Sequence, residues 1–205
     1  MGSPMLFAVI LVLSGILFVV SCLRRFGLLR LGKPELRTDQ PVRRLGEMLV
    51  YAFGQKRVVR YPFGLNHFVI FWSFLVLLVA NAEFVLAGLH PMLSFAGLAQ
   101  AVPALTWLHY ATAFLFDLVS LVTLGVILLA IARRLFFPPD YIEARSRDAF
   151  IILGMIAVLM LAFFGLHAAE LAHTPAAAGR FMPISGALAA ALGGLSDAAL
   201  SSLAL

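Results

Sequence analysis

Six ionisable side chains stand inside or at the margin of long apolar runs: His67, Glu83, His109, Asp117, His167 and Glu170. Such groups are costly within a membrane and need partners, so each raises a question of function. An imidazole can ligate a metal or a haem iron, and a carboxyl group can carry a proton or tie two helices together. His67, which follows Asn66, reads either as an interfacial histidine solvated by water or as an axial haem ligand, because a helical bundle can clamp a flat porphyrin between its members. Cytochromes with two haems often stack two histidines on one helix about three turns apart, but eleven residues after His67 stands Leu78. This segment therefore offers one ligand at most.

His109 lies beside Trp107 and Tyr110, where an interfacial aromatic belt is expected. His167 has the same interfacial reading, and with Glu170 and His173 it forms an H-x-x-E-x-x-H spacing. Successive steps of about 300° spread those three side chains over about 120° of a helix, which is a weak metal signal and argues against zinc. Asp117 falls about 15 Å inside its apolar segment, near the bilayer midplane, and reads either as an interhelical tether or as a proton carrier. Glu83 sits nearer the surface at a depth like that of His109 and His167, which suggests an outer polar pocket.

The elements that must position these groups follow from composition. Of the 205 residues 62% are hydrophobic and 12% charged, with a mean hydropathy of +1.02, so the chain needs lipid as its solvent. About 20 apolar residues of helix cross about 30 Å of hydrocarbon, and four segments meet that demand: about 5–23, 67–89, 105–132 and 149–166. The expected fold is an all-α transmembrane bundle of four spanning helices forming one domain over residues 1–205. The first segment has too long an apolar run for a cleaved signal peptide and is expected to stay as a helix. Cys22 is the sole cysteine, which excludes an internal disulfide, a cysteine-ligated iron-sulfur cluster and a C-x-x-C-H haem attachment.

Ten of the fifteen Lys and Arg residues lie between Arg24 and Arg60, and Arg133, Arg134, Arg145 and Arg147 lie between the third and fourth segments. Positive charge marks cytoplasmic loops, so both stretches are expected to face the cytoplasm, with the N-terminus outside. The net charge of +5 thus reports topology and does not imply a nucleic-acid partner.

In the basic loop 24–63, residues 41–53 place Val42, Leu45, Met48, Leu49, Ala52 and Phe53 on one helical face, with Arg43, Arg44 and Glu47 away from it. Such a segment rests at the membrane surface or packs under a partner. Gly54, Pro62 and Gly64 break the chain before the second span. Beyond the second span, His90-Pro91 and Pro103 bound an uncharged loop. The tail 174–205 is rich in Ala and Gly, and its apolar run 184–195 is too short to span, so an outer surface segment is expected.

The stretch from Gly54 through Gln55, Lys56, Arg57, Val58, Val59, Arg60, Tyr61 and Pro62, followed by Gly64-Leu65-Asn66-His67-Phe68 and Ile70-Phe71-Trp72, resembles the membrane domain of bacterial iron-sulfur oxidoreductases related to heterodisulfide reductase. That domain is similar to the haem b gamma subunit of respiratory nitrate reductase. The resemblance continues through Phe116-Asp117-Leu118, Arg133-Arg134 and Arg147-Asp148-Ala149-Phe150-Ile151, and covers about 31–195. It implies a cytochrome b of the bacterial inner membrane, with one or two haems, that passes electrons between membrane quinone and a cytoplasmic iron-sulfur domain or subunit. His67 corresponds to the family's haem ligand on the second helix. Family members carry a fifth helix with the opposing ligands and then a cysteine-rich cytoplasmic domain, neither of which precedes Leu205. A truncated chain, completion by another chain, or loss of haem is therefore expected.

Two functions follow. In the first, His67 holds haem b, quinone is the substrate, and Glu83 or Asp117 handles protons; His109 and His167 are weaker ligand candidates. In the second, the chain is a non-redox membrane anchor for a cytoplasmic partner, and every histidine is interfacial.

Overall fold

The computed structural model describes residues 4–29, 31–33, 38–61, 63–138, 146–173 and 180–192, with backbone only at Pro4 and His173. Four helices are long and apolar enough to cross a membrane: α1 (Pro4–Leu29), α3 (Gly64–Leu89), α5 (Thr106–Phe136) and α6 (Arg147–His173), and three shorter ones accompany them: α2 (Pro41–Met48), α4 (Phe95–Ala101) and α7 (Pro183–Leu192). No strand occurs among the described residues. The spanning helices run past the limits read from hydropathy, α1 beyond Arg24 and Arg25 and α5 beyond Arg133 and Arg134. Hydropathy falls where arginines begin, but arginine is a good helix former whose long stem lets its head leave the apolar layer.

The bundle is built on α5, which packs against α3, α4, α6 and α7. It carries a buried stripe of Phe116, Asp117, Ser120, Thr123 and Ile127, and α6 carries another of Met160, Phe164, Ala168 and Ala169. Ser185 and Ala189 on α7 are also buried. Small residues let two helix backbones approach closely where van der Waals contact must replace the hydrophobic effect. In contrast, α1 has no buried residue in its apolar window and touches the bundle mainly through α3, where the Phe7 ring lies against Gly88. Its exposed Leu, Ile, Val and Phe side chains require lipid around them.

The amphipathic stretch begins as expected with Pro41 at the first helical position of α2, then widens into a π-turn at Leu49–Phe53. Phe53 packs edge-on against Phe71 of α3, their centroids 6.3 Å apart. Arg43 pairs with Glu47 at 3.0 Å and Arg44 with Asp39 at 2.8 Å.

Two connections add to the sequence reading. The loop after α3 contains α4, because Ser94 caps it by accepting a hydrogen bond from the Gly97 amide at 2.9 Å, while 3₁₀ turns at Pro91–Leu93 and Pro103–Leu105 flank it. The prolines stop the long helices but leave room for a short one between them. Within the tail, α7 packs one face along α6 and against α5, with Ser185 and Ala189 buried and Ala187, Leu188 and Ala191 exposed. A ten-residue helix is too short to span, yet it is held here by its neighbours rather than by its own length. The rest of that tail, 174–179 and 193–205, lies outside the described residues, as do Pro62 and Arg145.

Candidate functional site

Two acids of the spanning helices, Glu83 on α3 and Asp117 on α5, do the same local job. Helix starts leave backbone N–H groups without partners, and a carboxylate there also meets the positive end of the helix dipole. Glu83 Oε1 accepts from the Phe95 amide at 2.8 Å, at the start of α4. Asp117, fully buried, accepts from the Ile184 amide at 2.7 Å, the Ser185 amide at 3.2 Å and the Ser185 hydroxyl at 2.6 Å. Asp117 thereby ties α5 to the first turn of α7. The sequence alternatives for Asp117 included such a tether but could not name its partner, which lies 67 residues away.

The structure gives Glu83, His109 and His167 separate partners. Glu83 is engaged with α4. His109 stacks obliquely on Tyr110 at 5.3 Å, and Tyr110 stacks in turn on Phe181 at 4.4 Å. His167 Nδ1 lies 3.1 Å from Glu170 Oε2, with its ring edge-on to Phe163 at 4.5 Å. The His173 side chain of the H-x-x-E-x-x-H spacing lies outside the described residues. Among the described residues no three His, Cys, Asp or Glu side chains converge in a way that could hold a metal.

His67 lies at the other end of the bundle, among the basic helix ends. The chain reaches it through a tight turn: the Gly64 amide donates to the Tyr61 carbonyl at 2.8 Å, and Val58 donates to Gln55 at 2.8 Å. Gly64 opens α3 directly against the Val58 carbonyl, with no room for a Cβ. One turn on, His67 lines a cavity of about 300 Å³ between α3, α5 and α6. Phe63, Asn66 and Ile70 share its α3 wall; Ile127, Leu129, Ala130, Arg133 and Arg134 line it from α5, and Ile152, Leu153 and Ile156 from α6. The Arg133 guanidinium covers the Phe63 ring at 3.7 Å, a cation–π contact that fixes the rim. Asn66 Oδ1 is buried and has no hydrogen-bond partner among the described residues.

A six-coordinate haem needs a ligand on each face of the porphyrin. The cavity supplies one imidazole, and the α5 and α6 walls add aliphatic side chains and two arginines, with no second histidine, methionine or cysteine. Its volume is also at the low end of the roughly 300–1,000 Å³ typical of ligand sites. The described residues therefore do not fit a six-coordinate haem by themselves, and no step is assigned to one.

Four contributors to these sites are not singled out by the sequence: Asn66, Arg133, Arg134 and Ser185. Asn66 stands in the first turn of α3, and a polar amide buried there needs a partner. Arg133 and Arg134 were read as topology markers. Ser185 carried a usable signal, since it follows Pro183 at the start of an apolar run, a pattern that marks a helix N-terminus.

Comparison with known proteins adds one relation. No family model matches the chain, and no solved structure matches it. Over 137 residues, 65% of the chain, it is 31% identical to an EtfAB:quinone oxidoreductase of Syntrophomonas wolfei subsp. wolfei. The matched stretch spans 18% of that protein's length. The similarity supports a relation to quinone-linked oxidoreductases.

Proposed function

We propose that this chain is a membrane electron-transfer domain that relays electrons between membrane quinone and an iron-sulfur partner in the cytoplasm. The observation that carries this reading is the similarity to a quinone oxidoreductase, which runs through most of the chain. The cavity at the basic end adds support, because it opens among spanning helices at the level where a membrane-borne substrate and a cytoplasmic partner can both approach. The protein contributes orientation, hydrogen bonds and a low local dielectric, while the redox chemistry belongs to the bound group.

The proposal includes an orientation in the bacterial inner membrane, with the N-terminus outside and the basic ends of α3, α5 and α6 in the cytoplasm. Gln55 is a poor reporter because it is buried, whereas Lys56 and Gln100 are exposed on opposite sides of α3. In a Cys22→Ser background, a membrane-impermeant maleimide should label Gln100→Cys in intact cells, and Lys56→Cys only after permeabilisation. Labelling of Lys56→Cys in intact cells would reverse the orientation.

Haem b is the second reading, favoured by His67 on the cavity wall. It requires the opposing ligand from a helix beyond the described residues, in this chain or another. His109 and His167 belong to the other end of the bundle and cannot share a haem with His67. A reduced-minus-oxidised visible spectrum of the purified chain is expected to lack a low-spin haem b signal. A low-spin signal that His67→Ala removes would establish the haem reading. One that survives His67→Ala would move the site to His109 and His167. A chain that binds neither haem nor quinone would leave the membrane-anchor reading.

A further inference from the structure

The cavity at the basic end contains a small set of polar groups in an otherwise aliphatic enclosure, and a buried oxygen that asks for a donor. We propose that it binds the headgroup of a quinone or quinol, held between Asn66 and His67 with its ring against Ile70, Ile127 and Ile156. The proposal rests on the quinone-linked reading and is the alternative to a haem on His67.

The chemistry of the pair favours this ligand. A quinol headgroup donates through its hydroxyls and a quinone accepts through its carbonyls, so a site serving both forms needs side chains able to do either. Asn66 presents a carbonyl oxygen or, turned over, an NH₂ group, and neutral imidazole carries one donor and one acceptor nitrogen. Both residues can thus exchange roles without a charge being created in the membrane. A buried acceptor with no partner, such as Asn66 Oδ1, costs about 1–3 kcal/mol until a donor reaches it, and a quinol hydroxyl is such a donor. A phospholipid phosphate offers acceptor oxygens and would leave Asn66 Oδ1 unmatched, although the nearby Arg133 and Arg134 would suit it. The aliphatic walls fit a flat ring better than a hydrated phosphate. The cavity lies one to two turns inside the ends of α3 and α6, within reach of a headgroup whose isoprenoid tail stays in the bilayer.

The chain carries its own reporter. Trp72 lies five residues from His67, about 7.5 Å along α3, and the other tryptophan, Trp107, can be removed as Trp107→Phe. In nanodiscs of phosphatidylethanolamine and phosphatidylglycerol, decylubiquinone is expected to quench Trp72 saturably. Asn66→Leu and His67→Phe should each weaken that binding at least tenfold, with thermal stability in detergent as the folding control, and His67→Gln should restore part of it. Unchanged affinity in both variants would overturn this placement while leaving the quinone-linked reading intact. Absence of saturable binding in the parent chain would overturn both. Quenching abolished by raising phosphatidylglycerol, and restored in phosphatidylcholine, would make the cavity a site for an anionic lipid headgroup and also overturn the proposal. So would a low-spin haem lost in His67→Ala.

Discussion

Asp117→Leu is expected to lower stability more than any other single substitution in the bundle. The leucine removes the acceptor for the Ile184 amide, the Ser185 amide and the Ser185 hydroxyl. Each buried donor left unpaired costs about 1–3 kcal/mol, so the total is about 3 kcal/mol or more, and the first turn of α7 should detach from α5. Asp117→Asn keeps one acceptor oxygen of the two, and should fall between Asp117→Leu and the parent chain. Ser185→Ala removes one of the three bonds and should cost about 1 kcal/mol. Thermal unfolding in detergent measures all three, and a cycle with Asp117 and Ser185 together should show clear coupling, because the two share a hydrogen bond. Wild-type stability for Asp117→Leu would dissolve the tether. Wild-type stability combined with slowed quinol oxidation would assign Asp117 to proton handling.

Gly64→Ala is the second large effect. A methyl group at this first residue of α3 would run into the carbonyl carbon and oxygen of Val58, and these are backbone atoms that cannot swing aside as a side chain can. Forced overpacking of this kind costs about 1–3 kcal/mol. The turn 56–61 must then lift from the start of α3, which frees the backbone at the already exposed Lys56 and Arg57 for trypsin and disturbs the α3 wall that holds Asn66 and His67. Faster tryptic cleavage in that turn, together with a lower unfolding temperature, is the expected result. Gly125 and Gly154 provide the contrast, since a Cβ at either meets nothing within 4 Å. Alanine there should be neutral or slightly stabilising, because glycine is a poor helix former. Equal behaviour of Gly64→Ala and Gly125→Ala would show that the turn gives way at little cost.

The two carboxylates suggest how this fold tolerates acids among apolar helices. Each is matched to the start of a short helix, so a group that is costly alone satisfies backbone donors that would also be costly alone. Glu83 does this for α4 and Asp117 for α7. The short helices are therefore fixed by the long ones through hydrogen bonds as well as by packing.

The sequence by itself determined the four spans, because twenty or so apolar residues leave a chain few options but a membrane helix, and that property is local. It also determined that Asp117 needs a partner, that the breaks at Gly54 and Gly64 flank a distinct segment, and that His67 is separated from the other candidate histidines. Those conclusions depend on residue type and on distance along one helix. The tertiary structure alone decided what meets across helices. It placed Asp117 on Ser185, Glu83 on Phe95, and Asn66 and His67 in one cavity with Arg133 and Ile152. Hydropathy is a sum over neighbours in the chain and carries no information about which faces of two distant helices pack together. For the same reason α7 was legible as apolar and short but not as part of the bundle: ten residues cannot span alone, and only the Asp117 carboxylate on α5 and the small residues on α6 give it a place there.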